Sequence, residues 1–412
     1  MKKYGKNRLF SRWLTLLLLT TGADCTWTQQ IEQVYRSDVR TDSTDTHPLS
    51  VTVDNLNFFR NNEWVSAIAP GYTLPGFRLQ PKVIYRPTKH VRLEAGVHSL
   101  WYWGANRYPS YPYTQLPYWE ESRPSDVLHL LPYLRAQVAF SEQVQIVLGN
   151  IYGGADHRLA EPLYNPELNL TADPEAGLQM LYHTSWVDLD AWVNWIKFIY
   201  HSDVRQESLV GGLSVHLMAN APESGLHICF PLQALAQHQG GQIDVTDLPV
   251  QTVVNGLAGI RLEWNLRQSI LKKVCMEWDL AGYYQPAGER WPLKRGYGSY
   301  TSLSAVLSGF QVKVAYWQCD RFISILGNPL FGVLRPSTPD AYFDRPKMVV
   351  CGVAYTRRFA PGLMLGIDFD LFQRFAANLR NPVSGVSVVE TKSNYSFGVY
   401  FRATPSILIG RF

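Results

Sequence analysis

The chain has 412 residues, 17% of them charged and 13% aromatic, with a formal net charge of +4 and a mean hydropathy of −0.13. This excludes a helical membrane protein and a disordered chain, and basic residues scattered singly offer no nucleic-acid surface, so no nucleic-acid partner is expected. No Pro/Gly/Ser-rich linker divides the chain after about residue 50, which predicts one large folded unit.

Lys2, Lys3, Lys6, Arg8 and Arg12 precede the apolar run Leu14 to Leu19, and small residues follow at Thr21 to Ala23. That order predicts a secretory signal peptide over residues 1–23, because the apolar core is too short to span a membrane as a helix. Lipidation of Cys25 is the alternative, but the preceding Asp24 is neither small nor apolar. Residues 24–50, rich in Thr, Asp, Ser and Gln, predict a flexible periplasmic lead. That lead is too short for the folded plug of a TonB-dependent transporter, on the order of a hundred residues. Cys229, Cys275, Cys319 and Cys351 show no Cys-x-x-Cys spacing and read as isolated thiols. No cofactor and no metal site are expected.

From residue 51 the pattern turns to alternation of period two. Phe77, Leu79, Val83 and Tyr85 alternate with Arg78, Gln80, Lys82 and Arg86; after the short link Pro87–His90, Val91, Leu93, Val97 and Trp101 alternate with Arg92, Glu94 and His98. Unpaired charges at every other place would cost several kcal/mol each in a soluble core, so one face must meet water. Strands read this way fall at about 51–60, 76–86, 90–103, 127–140, 144–153, 175–185, 187–199, 208–218, 225–236, 250–266, 270–284, 299–308, 310–319, 347–359, 363–374 and 394–412. Short links alternate with long ones near 104–126, 154–174, 285–298, 320–346 and 375–393, the asymmetry of periplasmic turns and external loops. The fold class is therefore all-β, a closed antiparallel transmembrane barrel over residues 51–412 with about sixteen strands and a polar, water-filled interior. Aromatics near strand ends (Trp101 and Trp103, Phe198 and Tyr200, Tyr283 and Tyr284, Phe397 and Phe401) suit an interfacial girdle.

The chain closes on Ser-Ile-Leu-Ile-Gly-Arg-Phe. A terminal aromatic on the last strand resembles the recognition signal of Gram-negative outer-membrane proteins, which implies that Phe412 is read by the barrel-assembly machinery and that the protein resides in the lipid bilayer of the outer membrane. The stretches Phe58-Phe-Arg-Asn-Asn-Glu-Trp and Gly76-Phe-Arg-Leu-Gln-Pro resemble porin-like outer-membrane β-barrel proteins of Bacteroidetes. Strict alternation from Phe401 would turn Phe412 inward, so a bulge at Pro405 is expected to shift the phase by one.

The inward phase places Arg78, Lys82, Arg92 and Arg135 on early strands, and Asp188, Asp190, Glu277, Asp279, Asp368 and Asp370 on later ones. As pore-lining residues, opposite charges on different arcs would set a transverse field and an ion preference. Ordinary interstrand salt bridges, for instance among Arg261, Glu263, Lys273 and Glu277, are the equal alternative. Three carboxylate pairs at i, i+2 argue for a charged wall over glycosidase chemistry, and no loop carries an EF-hand pattern. A phospholipase-like enzyme would need Ser and His on the lipid face. Because His98, His129, His183, His216, His227 and Ser214 all fall in the inward phase, no enzymatic activity is expected.

Loop 320–346 carries Leu326, Leu330, Phe331, Val333 and Leu334, suiting either infolding into the lumen or packing on other loops or a partner. Cys319 inward and Cys351 outward cannot form a disulfide at its base. Loop 104–126 carries Tyr108, Tyr111, Tyr113, Tyr118 and Trp119, suited to glycan or protein recognition or to a packed lid. The function expected is a porin-like passive channel for small hydrophilic solutes. The alternatives are a non-conducting scaffold, secretion or assembly subunit or adhesin, and an outer-membrane phospholipase-like enzyme.

Overall fold

The computed structural model describes residues 32–37, 48–66, 69–103, 128–200, 206–241, 247–266, 270–289, 291–335, 338–381 and 383–411. The signal peptide with Cys25, loop 104–126 and Phe412 lie outside the described residues.

In chain order the strands are β1 (Pro48–Val65), β2 (Pro70–Thr88), β3 (Val91–Tyr102), β4 (His129–Ala139), β5 (Val144–Asn150), β6 (Ala176–His183) and β7 (Val187–Lys197). They continue as β8 (Ser208–Met218), β9 (Leu226–Gln239), β10 (Gln251–Asn265), β11 (Leu271–Ala287), β12 (Arg295–Leu307), β13 (Phe310–Asp320), β14 (Leu334–Arg335) and β15 (Thr338–Asp344). The last are β16 (Lys347–Ala360), β17 (Leu363–Arg374), β18 (Ala377–Asn381), β19 (Gly385–Val389), β20 (Lys392–Ala403) and β21 (Ser406–Arg411). Each wall strand pairs antiparallel with its neighbours in sequence, β13 passes to β16 and β17 to β20, and β1 closes the ring against both β20 and β21. Strands β20 and β21 are collinear halves of one stave, so the closed antiparallel barrel has sixteen staves. β14, β15, β18 and β19 form a separate small sheet at the long-loop end, which sequence alternation did not separate from the long links.

The alternation is inside-out relative to a soluble protein. On β3, Leu93, Val97 and Trp101 are each 40% exposed, whereas Arg92, Glu94 and His98 are buried. The same holds on β11, where Met276, Trp278 and Leu280 face out while Glu277 and Asp279 are buried. Apolar burial against water cannot drive this arrangement, so the outer solvent is lipid, and the molecule is an outer-membrane β-barrel. Among the described residues no helix is long and apolar enough to cross a membrane.

At the closing seam the pairing holds its register through Pro405, from Ala403 opposite Asn55 to Ser406 opposite Thr52. The Pro405 carbonyl still accepts from the Val53 N–H at 3.1 Å, so the missing N–H costs the ladder one bond only. The phase shift comes later, between Leu408 opposite Ser50 and Gly410 opposite Leu49. The expected bulge therefore exists, but at Ile409.

Much of the interior is packed, where the sequence leads one to expect an open, water-filled lumen. The segment between β5 and β6 and the segment between β13 and β14 both turn into the barrel, burying Leu159, Leu163, Tyr164 and Leu168 from the first and Phe322, Ile325, Leu330 and Phe331 from the second. They touch each other, Asn165 N–H to the Leu326 carbonyl at 2.9 Å and Ser324 Oγ to the Pro162 carbonyl at 2.5 Å. Both outcomes named for loop 320–346 thus occur: its first part folds inward, and β14 and β15 pack on β18 of the loop after β17. The short helix α1 (Glu32–Tyr35) is a third inward element, although residues 24–50 were expected to be a free lead. Arg402 donates to the Val34 and Arg36 carbonyls at 2.8 and 2.7 Å, and the Tyr35 ring packs edge-on against Tyr400. Close packing needs glycine where an indole lies flat on the wall: a Cβ at Gly298 would stand 2.2 Å from the ring of Trp317.

Candidate functional site

The inward charges of the sequence reading are all on the inner face, and most are ion-paired rather than lining an open bore. Lys82 and Arg92 meet Glu94 at 2.9 and 2.8 Å, with Arg135 at 3.7 Å from the same carboxylate. Arg78 bonds the Asn169 carbonyl and Asp54. Asp188 pairs with Arg158, and Asp190 with His157 at 2.7 Å. Asp368 holds Arg60 at 3.0 Å, with Asp370 at 3.9 Å. Glu277 pairs with Arg261 and Glu263 with Lys273, while Asp279 is fully buried beside Glu277. Several of the partners (Arg158, His157, Asn169) belong to the first insert, which sequence alternation could not place.

Five histidines were read as inward, and the structure separates their roles. His157, on the first insert, was not among them. Its ring is stacked on Trp192 at 3.5 Å and bonded on both nitrogens, to Asp190 at 2.7 Å and Glu175 at 3.0 Å. Burial alone would lower its pKa, but the two carboxylates hold it protonated and raise the value to about 10. Such an imidazolium anchors the insert and has no lone pair with which to accept a proton. His216 lies opposite Asp188, two residues closer than Ser214 to the short turn on β8, and this Ser/His/Asp grouping sits beside the short turn at Thr184–Trp186, far from the long-loop rim.

His129 is different because it sits at the rim itself, as the first residue of β4. There the wall is notched. The β4–β5 ladder ends at Arg135 opposite Gly149 and the β5–β6 ladder at Asn150 opposite Ala176, whereas β3 pairs with β4 up to His129. Six residues of β4 rise above that last rung, roughly 20 Å at about 3.3 Å per residue. On the far flank β7 rises from Asn194, where β6 stops pairing, to Lys197 opposite Ser208. Local sequence makes the stop: Gly149 has φ +86°, and a Cβ there would stand 2.3 Å from the Leu134 carbonyl oxygen. The Asn150 side chain then takes the Leu134 N–H at 2.8 Å in place of a ladder bond.

At this notch Asp173, returning from the insert, meets His129 Nδ1 at 3.0 Å. His129 is 2% exposed. One diagonal step along the wall, His98 Nδ1 receives the Gln80 side-chain amide at 2.7 Å, which places its proton on Nε2. His98 Nε2 has no hydrogen-bond partner among the described residues, and His98 lines, with Asp173, Asn169 and Arg78, a cavity of about 100 Å³. The dyad thus offers a carboxylate-oriented imidazole, with a second, proton-bearing imidazole nearby. Asp173 carries no local signal in sequence, since 44 residues separate it from His129.

The model of a family described as lipid A 3'-O-deacylase-type matches residues 41–412. No curated protein matches the chain. Among solved structures, OprD of Pseudomonas aeruginosa is similar at 10% identity and TM-score 0.44, over 93% of this chain and 98% of its own. A loop-deletion mutant of OmpT of Vibrio cholerae is similar at 11% and 0.47, over 88% and 100%, and OccAB1 of Acinetobacter baumannii at 10% and 0.46, over 90% and 100%. The family finding overturns the expectation of no enzymatic activity. That expectation required catalytic groups on the lipid-facing side of the wall, a condition that a notched wall removes.

Proposed function

Because the chain belongs to the lipid A 3'-O-deacylase-type family, we propose that it is an outer-membrane esterase that hydrolyses an O-linked acyl chain of lipid A, with His129 as general base and Asp173 as the carboxylate that orients it. The observation that carries the assignment of residues is the His129–Asp173 pair at 3.0 Å beneath a notch in the wall. With short turns toward the periplasm, the notch lies at outer-leaflet level. An ester between a sugar and its chains sits at that height, at the boundary of headgroup and hydrocarbon.

The chemistry follows from the dyad. Asp173 accepts the Nδ1 proton of His129 and fixes the tautomer in which Nε2 is the base. Nε2 takes a proton from water as its oxygen bonds to the ester carbonyl carbon, and Asp173 stabilises the imidazolium that results. The carbonyl oxygen becomes an oxyanion, for which His98 Nε2–H is available as a donor. Collapse breaks the bond to the sugar oxygen, which takes the proton back from His129. The products are the fatty acid and a free sugar hydroxyl.

The test is incubation of the purified protein with lipid A and mass spectrometry of both products. The wild type is expected to release one acyl chain, and His129→Gln and Asp173→Asn to lower the rate by about 10²–10⁴, the usual worth of general-base catalysis. A wild type that releases no chain would remove the esterase reading; an unimpaired His129→Gln would move the site elsewhere. The porin-like passive channel has a narrower base, the polar inner wall, and it must contend with two inserts that cross the lumen.

A further inference from the structure

We propose that a basic cavity at the short-turn mouth of the barrel is a binding site for a phosphate-bearing anion, at a different depth from the His129–Asp173 pair. The cavity has a volume of about 1010 Å³ and is lined by Lys82, Arg86, Arg92, Arg135, Arg358 and Arg402, with Asp54 as the one carboxylate among the described lining residues. Pro361, Gly362, Thr404 and Ser406 place it at the short-turn end. His129 and Arg135 are six residues apart on one strand, roughly 20 Å, so the two sites occupy different depths.

Charge bookkeeping singles this cavity out. Elsewhere on the inner wall carboxylates match or outnumber the cations: Arg261 pairs with Glu277, Lys273 with Glu263 and Lys313 with Glu161, and Arg60 alone faces Glu167, Asp368 and Asp370. Here Lys82, Arg92 and Arg135 converge on the single carboxylate of Glu94, at 2.9, 2.8 and 3.7 Å. Arg78 and Arg402 share the single carboxylate of Asp54, at 3.4 and 2.9 Å. Five cations thus share two directly contacting carboxylates, with buried Asp156 as a more distant third, and four of the five cations line the cavity, where the field is screened less than in water. Arg358 stands exposed at the mouth and adds to the excess. An anion entering from the short-turn side would relieve this excess. Guanidinium forks favour phosphate oxygens by bidentate geometry, and a space of this size holds more than an inorganic ion. The shared chemistry is a phosphate group, carried by a soluble solute or by a phospholipid headgroup.

The experiment has two arms. In phosphate-free buffer, isothermal titration of pyrophosphate into the detergent-solubilised full chain reads the soluble source. Native mass spectrometry after reconstitution in nanodiscs of phosphatidylglycerol or phosphatidylcholine reads retained headgroups. Saturable pyrophosphate binding that weakens with added NaCl, and that falls at least about tenfold in both Arg92→Gln and Arg358→Gln, supports a soluble ligand. Retention of phosphatidylglycerol over phosphatidylcholine, lost in both variants, supports the headgroup. The Arg358 side chain stands exposed on β16, so its variant keeps the fold in play, while Arg92→Gln lightens the load on Glu94. No saturable binding in either arm, or binding equal in wild type and both variants, overturns the proposal.

Discussion

Removing one charge from the first insert should loosen it from the wall. The Glu161 carboxylate meets Lys313 of β13 at 2.6 Å and the Tyr300 hydroxyl of β12 at 2.7 Å, and the Lys313 and Tyr300 residues are 4% and 0% exposed. Glu161→Gln keeps the shape and a hydrogen-bonding oxygen for Tyr300 but leaves the Lys313 ammonium buried without its counter-charge. Breaking such a pair from one side costs about 3–5 kcal/mol. The ladder bonds of the barrel are untouched, so the cost falls on docking of the insert. Next to Glu161 the insert is held by neutral hydrogen bonds, Gln233 to Ala160 and Arg158 at 2.8 and 2.9 Å and about 1 kcal/mol each, while the ionic ties His157–Asp190, Arg158–Asp188 and Glu167–Arg60 hold it at other points. Because the inserts are joined at Asn165–Leu326, the second should loosen with the first. Two assays apply: urea unfolding in detergent micelles and planar-bilayer recording. The variant is expected to unfold at lower urea and to show conducting openings more often than the wild type. An unchanged urea midpoint together with unchanged conductance would refute the idea that this pair holds a plug in place.

Two further outcomes test the packed interior. His157 has its pKa raised from 6.5 to about 10, so its pairing stabilises the fold fully below pH 6.5 and is lost as pH rises through 10; the urea midpoint should fall across that window in the wild type and stay flatter in His157→Gln, and equal slopes would count against the ion-paired imidazolium. Gly298→Val would drive a side chain into the ring of Trp317, whose Nε1 donates to the Phe331 carbonyl at 3.0 Å; overpacking should cost about 1–3 kcal/mol and alter the near-ultraviolet circular dichroism, and a variant indistinguishable from wild type in both would contradict the packing described.

The wall was legible in the sequence because a period of two is a local property: each strand reports its own phase, whatever its neighbours do. What alternation could not report is anything whose partner is distant. Arg60 was read as the end of a strand, yet β1 runs on to Val65, and Arg60 reaches Glu167 at 3.2 Å and Asp368 at 3.0 Å. Asn61 and Glu63 hid this continuation, since both outward residues there are polar while Trp64 points inward. The first insert carried one usable signal, Leu159, Leu163, Leu168 and Leu170 in a link that should be polar if it only faced water. Loop 320–346 carries the same signal, and its first part does fold inward. The charged arcs, taken as a field across an open bore, needed the inserts to be known before their charges could be balanced.

The inward histidines show how a correct local reading can support a wrong functional one. Their phase excluded enzymatic chemistry only if lipid and lumen were separated by an unbroken wall at every height. That condition depends on strand length, not on phase: β5 and β6 have 7 and 8 residues, against 12 and 11 in β3 and β4. Where adjacent staves are unequal, a residue on the inner face of the longer one is bordered at the rim by wall on one flank only. His129 occupies that place, and it is the one inward histidine that both starts its strand and is met there by a carboxylate from an insert. Strand-length mismatch next to a Gly-Asn stop such as Gly149–Asn150 is therefore the feature to seek when an outer-membrane barrel with inward polar groups acts on a lipid.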